Sequence, residues 1–153
     1  MNTVVDVIRV MRPADVPAVG MLELQTYAFP WSENIFRDCL RAGYYCCVVE
    51  TEREIVGYGV LSAGAGEAHV LNICVAEADR GRGLGSRLLQ HLIDHARAIG
   101  AREVFLEVRP SNTVAIRLYL ASGFTQVGMR RGYYQAVGGR EDAVVLRRQL
   151  LPE

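Results

Sequence analysis

Arg80-Gly81-Arg82-Gly83-Leu84-Gly85-Ser86 stands directly in front of a run in which Leu84, Leu88, Leu89, Leu92, Ile93 and Ala96 recur at helical spacing. A glycine-rich turn that opens a helix aims backbone N–H groups and the positive end of the helix dipole at one point. Glycines also let a pyrophosphate approach the chain closely. A flexible connector that starts a helix at Ser86 has the same appearance, so the surroundings of the loop decide. Behind it, residues 68–75 read as a β-strand, and ahead of it Gly100 closes the helix.

Working outward, residues 4–11 alternate around Val5, Val7 and Val10 and predict a first strand ended by Arg12-Pro13. Asp15 before Val16-Pro17 is an N-cap signal with proline in the first turn, and Val19, Leu22 and Thr26 carry that helix towards Phe29-Pro30. Ser32-Glu33 opens a second, short helix with Ile35, Phe36, Cys39 and Leu40 on one side and Gly43 past its end. Residues 44–49 and 55–61 predict a hairpin across a polar turn, which residues 68–75 extend. Beyond the long helix come a strand at 104–108, a helix at 112–122 closed by Gly123, and strands at 124–129 and 143–150.

The order β α α β β β α β α β β predicts an α/β (α+β) fold with a mixed, mostly antiparallel sheet of about seven strands flanked by about four helices. A purely parallel dinucleotide-binding sheet does not fit that order. Its fingerprint also requires Gly or Ala where Ser86 stands, and residues 76–79 separate the loop from its strand.

The chain has 153 residues, half of them hydrophobic and 22% charged, which is one typical domain spanning 1–153 with enough apolar side chain for a core. All 17 basic residues are arginine and balance 17 Asp+Glu. The absence of lysine removes Schiff-base catalysis and the Gly-Lys-Ser/Thr phosphate loop. A net charge of zero lacks the basic footprint that direct nucleic-acid binding needs. Cys39, Cys46, Cys47 and Cys74 have no zinc-ligand spacing, and neither a signal peptide nor an apolar run of about 18 residues is present. The expectation is a reduced, cytoplasmic protein with no metal and no membrane segment. Adjacent Cys46 and Cys47 should point to opposite faces of their strand, and His91 and His95, four apart, should lie on a solvated helix face.

The spacing Arg80-x-x-Gly83-x-Gly85, behind the strand that ends Leu71-Asn72-Ile73-Cys74-Val75, resembles the coenzyme A signature of the GNAT acetyltransferase superfamily. The resemblance extends to the bacterial ribosomal-protein-alanine N-acetyltransferases. It is carried by Phe29-Pro30-Trp31-Ser32, Leu106-Glu107-Val108-Arg109 with Ser111-Asn112, Ala115-Ile116-x-Leu118-Tyr119, Gly123-Phe124, Arg130-Arg131-x-Tyr133-Tyr134 and Gly139-Arg140-Glu141-Asp142-Ala143, in one order along nearly the whole chain. It implies the GNAT acyl-CoA N-acyltransferase fold, acetyl-CoA as cosubstrate without a metal, and a monomer or weak oligomer. The implied acceptor is the N-terminal alanine of the eighteenth small-subunit ribosomal protein, bS18.

An α-amine has a pKa of about 7.7–8.0 and reaches an enzyme mostly protonated, so acetyl transfer asks for a base, an oxyanion donor and an acid for the departing thiolate. Glu107 is a carboxylate in the otherwise apolar Phe105-Leu106-Glu107-Val108 strand, costly there unless it is paired or opens on a cleft. The bland alternative is an ion-pair partner of Arg109 or Arg102; the resemblance makes Glu107 the general base, directly or through water. Asn112 and Tyr119, seven apart, share a helix face. By resemblance Tyr119 is the acid, Asn112 contacts the cofactor, and Ile73, Cys74 and Val75 bind it through their backbone. The loop residues Arg80, Gly81, Arg82, Gly83, Leu84, Gly85 and Ser86 would hold the pyrophosphate. Phe29, Pro30 and Trp31 on one side, and Tyr133 and Tyr134 before a long polar turn on the other, would flank the acceptor. Glu33, Glu141 and Asp142 could attract a basic tail.

Cys74 raises a ping-pong alternative, but its apolar neighbours argue for an inert thiol, and His69, an odd number of residues away, should face the other side of the strand. Direct attack in a ternary complex is the preferred reading. Its rivals are another superfamily enzyme acting on a different N-terminus, a lysine or a small amine, and a non-catalytic coenzyme A sensor.

Overall fold

The computed structural model of the chain describes residues 5–150. Its strands are β1 (Asp6–Val10), β2 (Tyr45–Thr51), β3 (Glu54–Gly64), β4 (Glu67–Val75), β5 (Glu103–Val108), β6 (Thr125–Ala136) and β7 (Gly139–Gln149). Its α-helices are α1 (Val16–Thr26), α2 (Glu33–Arg41), α3 (Leu84–Ala98) and α4 (Thr113–Ala121). The strands form one sheet in the order β1-β2-β3-β4-β5-β7-β6. Every neighbouring pair is antiparallel except β4 and β5, which α3 joins as a crossover. This is the mixed sheet that the element order predicts.

Each sheet face builds its own core. On one face α3 inserts Leu84, Leu88, Leu89, Leu92, Ile93 and Ala96, all buried, against β2 to β5. At about 1.5–3 kcal/mol per buried large apolar side chain, this helix is the main anchor of the sheet. Gly59 of β3 lets it come close, since a Cβ there would sit 2.9 Å from Leu92 Cδ1. On the other face α1 and α2 contribute Val16, Val19, Leu22, Phe36 and Cys39. Cys47 belongs to the first core and Cys46 to the second, as strand alternation requires. Burial pushes both thiols up to about 12.

The caps follow the sequence at α2 and α4, where Ser32 Oγ accepts from Ile35 N–H and Asn112 Oδ1 from Ala115 N–H. Asp15 behaves differently. It sits at the N-cap of α1, but its carboxylate accepts two hydrogen bonds from Arg9, at 2.8 and 2.9 Å, and one from Arg12 N–H. A bidentate guanidinium outcompetes a helix amide and holds the Asp15 carboxyl below its ordinary range. The first strand is shorter than expected, and Val4, predicted to begin it, lies outside the described residues.

The histidines also depart from expectation. Tyr45 Oη lies 2.5 Å from His91 Nε2, and the Tyr45 ring stacks on His95 with centroids 3.7 Å apart. This face of α3 is partly covered by Tyr45 of β2, and burial lowers both imidazole pKa values. Among the described residues no helix is long and apolar enough to cross a membrane.

The largest correction concerns the last two strands. In place of a long polar turn over residues 137–142, β6 runs on to Ala136, β7 starts at Gly139, and two residues join them. Tyr133 and Tyr134 are therefore strand residues. Irregular pairing between Arg130 and Tyr134 breaks the alternation that would have announced the strand. That irregularity is pinned by Gly132, whose N–H donates to Asp142 Oδ1 at 2.8 Å and whose carbonyl accepts from Arg140 Nε.

Candidate active site

β4 and β5 pair only from Glu67↔Glu103 to Val70↔Leu106, and then part. The cause lies on the other edge of β4, where the register with β3 jumps from Val60↔Asn72 to Leu61↔Val70 and leaves Leu71 unpaired. A bulge bends its strand and increases its twist, so β4 swings away from β5. Between them opens a cleft of about 460 Å³, with residues 71–73 on one wall and residues 106–109 on the other.

Strand alternation buries Leu106 and Val108 and turns Glu107 into this cleft. Its side chain is 13% exposed and pairs with Arg130 Nε at 3.3 Å, not with Arg109 or Arg102. Tyr119 reaches the same cleft from α4, its ring packed edge-on against Phe124. Burial pushes its hydroxyl up to about 12, so it stays protonated at neutral pH. Asn112, Ile73, Phe29, Trp31 and Tyr134 also line the cleft. Pro30, Cys74, Val75 and Tyr133 do not, although Tyr133 carries the Arg130 guanidinium 5.4 Å from its ring centre.

The glycine loop lies apart from the cleft and communicates with it through β4, since Arg80 Nε donates to the Val75 carbonyl at 3.1 Å. Gly81 and Gly83 hold φ of +82° and +77°, with no atom within 4 Å of a would-be Cβ, so their backbone is open to close approach. The first α3 bond runs from Arg87 N–H to Gly83, which sets the N–H groups of Leu84, Gly85 and Ser86 ahead of the helical ladder. Arg82 is not free for an anion: it bonds Asp6 at 2.9 Å and Asp79 at 2.8 Å.

Several residues escaped the sequence reading. Glu23 of α1 is buried yet lines the cleft, its carboxylate accepting from Tyr58 Oη at 2.5 Å, Asn72 Nδ2 at 2.9 Å and Trp31 N–H at 2.9 Å. Its signal was available, because it falls four residues after Val19, on the buried stripe of α1. Tyr27 donates to the Ile73 carbonyl at 2.9 Å and ties α1 to the parted strand. Arg109 lies 4.4 Å from the Tyr134 ring centre and 5.8 Å from that of Phe29, bridging the two walls expected to flank an acceptor.

Two expectations are overturned here. Glu141 accepts from Arg109 at 3.2 Å and Ser111 N–H at 3.1 Å, and Asp142 is taken by Gly132, so neither is a loose charge for a basic tail. Glu33 is likewise paired with Arg37. His69 shares a side of β4 with Cys74: Ala68 and Val70 face the α3 core while Cys74 faces the other, and the Leu71 bulge cancels the odd spacing. Among the described residues no base contacts Cys74, its thiol donating to Thr26 Oγ1 while burial raises its pKa.

An opened parallel pair, a carboxylate and a neutral phenol in one cleft, and a glycine loop at the end of the same strand are the parts that thioester-to-amine transfer uses. Residues 13–124 match the acetyltransferase (GNAT) family. The chain belongs to the GNAT family. It is an N-acetyltransferase and, at 36% identity over 146 residues covering 95% of this chain and 96% of the relative, it is similar to the [ribosomal protein bS18]-alanine N-acetyltransferase of Salmonella typhimurium. The crystal structure of the ribosomal-protein-S18-alanine N-acetyltransferase from Escherichia coli superposes with a TM-score of 0.90 at 33% identity, covering 97% of this chain and 96% of that one. Ard1 from Thermoplasma volcanium is similar at a TM-score of 0.87 and 27% identity, covering 96% and 99%. The GNAT match ends at Phe124, so β6 and β7, which carry Arg130 and Tyr134, lie beyond it.

Proposed function

We propose that this GNAT chain, acting as one domain, acetylates the N-terminal alanine of ribosomal protein bS18 by direct attack in a ternary complex. The observation that carries the reading is that Glu107 and Tyr119 converge on the cleft opened by the Leu71 bulge, between Phe29 and Trp31 on one side and Tyr134 on the other. The names of the relatives at 30% identity and above support the acceptor. A ribosomal acceptor in turn suggests a cytoplasmic enzyme.

The residues present fit acetyl-CoA. Beyond Val70 the edge of β4 that faces β5 is unpaired and offers amides to a pantetheine arm, and the open glycines with the α3 N-terminus offer amides to a pyrophosphate. Asn112 spends its Oδ1 on Ala115 N–H and keeps its Nδ2 for the cofactor. Acetyl-CoA supplies the acyl group as a thioester. Glu107 takes the proton of the acceptor ammonium, directly or through water, and the freed amine forms the new C–N bond. The backbone N–H of Ile73, which lines the cleft, holds the carbonyl oxygen as charge develops on it. Tyr119 donates to the sulfur as the C–S bond breaks.

Mass-resolved transfer from acetyl-CoA to a peptide copying the bS18 N-terminus tests the reading, beside matched peptides that begin with serine, with methionine, or with an already blocked alanine. Acetylation of the free alanine peptide, with none of the blocked one, is the expected result. Acetyl-CoA binding with no transfer to alanine would redirect the search to other amines. Cys74→Ala separates direct attack from ping-pong: turnover persists if the amine attacks the thioester itself and disappears if the thiol carries the acetyl group.

A further inference from the structure

Two arginines stand beside Glu107, and they are held very differently. Arg109 donates to the Gln135 carbonyl at 2.7 Å and to Glu141 at 3.2 Å, and its guanidinium is stacked on Tyr134, so it is fixed on three sides. Among the described residues Arg130 has one polar contact, its 3.3 Å ion pair with Glu107 Oε1, and its side chain is 56% exposed with the Tyr133 ring 5.4 Å away. The irregular stretch that Gly132 and Asp142 hold in place begins at Arg130, and bulges of this kind re-aim side chains next to active sites.

Resting on the assignment of Glu107 as base, this contact has a cost. The acceptor arrives mostly as an ammonium ion, since an α-amine has a pKa of about 7.7–8.0. An ammonium and a guanidinium on one largely buried carboxylate repel each other, so one must leave. The exposed, singly held Arg130 is the one free to swing into solvent. The replacement is cation for cation, and the cleft keeps its net charge.

We propose that Arg130 is a specificity-determining residue: its guanidinium occupies, on Glu107, the place taken by the acceptor's α-ammonium, so the enzyme admits acceptors that bring a positive charge of their own. Arg130 selects amines that arrive protonated and acts against weakly basic ones. It also keeps Glu107 paired while no acceptor is bound.

The test compares Arg130→Gln, Arg130→Lys and Arg131→Gln with the parent enzyme on the alanine-starting peptide. Arg131 is the exposed neighbour, and its substitution removes the same charge without touching Glu107. Freed of its competitor, Arg130→Gln is expected to lower the peptide KM about twofold to fivefold, the span of a partly exposed ion pair, with kcat within about twofold of the parent. Arg130→Lys keeps a competing cation and should retain the higher KM, as should Arg131→Gln. An unchanged or raised KM in Arg130→Gln overturns the proposal, as does an equal fall in Arg131→Gln, which would reveal general charge repulsion. A loss confined to kcat overturns it too, assigning Arg130 to orienting the carboxylate. A parent enzyme that transfers to no alanine peptide takes down the proposed function itself, whereas normal parent turnover with an unmoved KM removes only the role of Arg130.

Discussion

Glu107→Gln lowers kcat by about 10²–10⁴, the usual contribution of a positioned general base, and leaves acetyl-CoA binding intact. The substitution is nearly isosteric, and the β5 ladder opposite Val145 is made by backbone alone, so the sheet does not depend on the carboxylate. The ion pair to Arg130 is lost, but with one partner 56% exposed it is worth at most about 1 kcal/mol. Thermal stability should therefore change little while turnover collapses. Glutamine accepts no proton at neutral pH, so the variant must wait for the minor neutral fraction of the amine. Raising the pH through about 8 supplies that neutral amine from solution, and the deficit relative to the parent narrows. Measuring kcat for both proteins at pH 7 and pH 9, with acetyl-CoA affinity by calorimetry, checks both parts. Parent-like kcat in Glu107→Gln at pH 7 would remove the base from this position.

The sheet was legible because its determinants are local. Leucine spacing in α3, the Ser32 and Asn112 caps and the glycines at 43, 100 and 123 each act within a few residues, and the element order then leaves few topologies. The β6–β7 pair was legible at 124–129 and 143–150, but its far half was not, because irregular pairing erases the period-two pattern and its tyrosines and arginines read as a turn. The same cause hid the face of His69. A bulge arises from pairing with a distant strand, and no periodicity within one segment reports it.

The site divides along the same line. Glu107 announced itself as a charge in an apolar strand, and the loop by its glycines, both properties of contiguous sequence. Glu23, Arg109 and Arg130 owe their positions to contacts across 26 or more residues, or to the hairpin irregularity. The acidic residues near the end of the chain looked available for a basic acceptor for the same reason: Glu141 finds Ser111 and Arg109 only after the sheet is assembled. What remains to face an acceptor is mostly aromatic and arginine, so selectivity should come from shape and from the α-ammonium rather than from a negatively charged rim.

Tyr119→Phe is the second large effect, a fall in kcat of about 10², with little change in KM for either substrate. Phenylalanine preserves the ring volume and the edge-on contact with Phe124, so the packing of α4 is retained. Only the hydroxyl is removed. Its pKa, raised by burial from 10.0 to about 12, has two consequences. The first concerns stability: a phenol with a raised folded-state pKa contributes fully below pH 10, and that contribution is lost as pH rises from 10 towards 12. The parent should therefore lose stability relative to Tyr119→Phe only in strong alkali. The second concerns chemistry. A thiol leaving group has a pKa of about 8.5, so a phenol near 12 is too weak an acid to surrender its proton completely to the thiolate. Tyr119 then acts chiefly by directing a hydrogen bond at the sulfur while the C–S bond breaks, which places its contribution at the lower end of the general-acid range. Because the hydroxyl stays protonated throughout, the ratio of parent to variant kcat should be flat from pH 7 to pH 9.5. A ratio that shrinks across that interval would mean that Tyr119 ionises there and that its surroundings are wetter than this buried position allows.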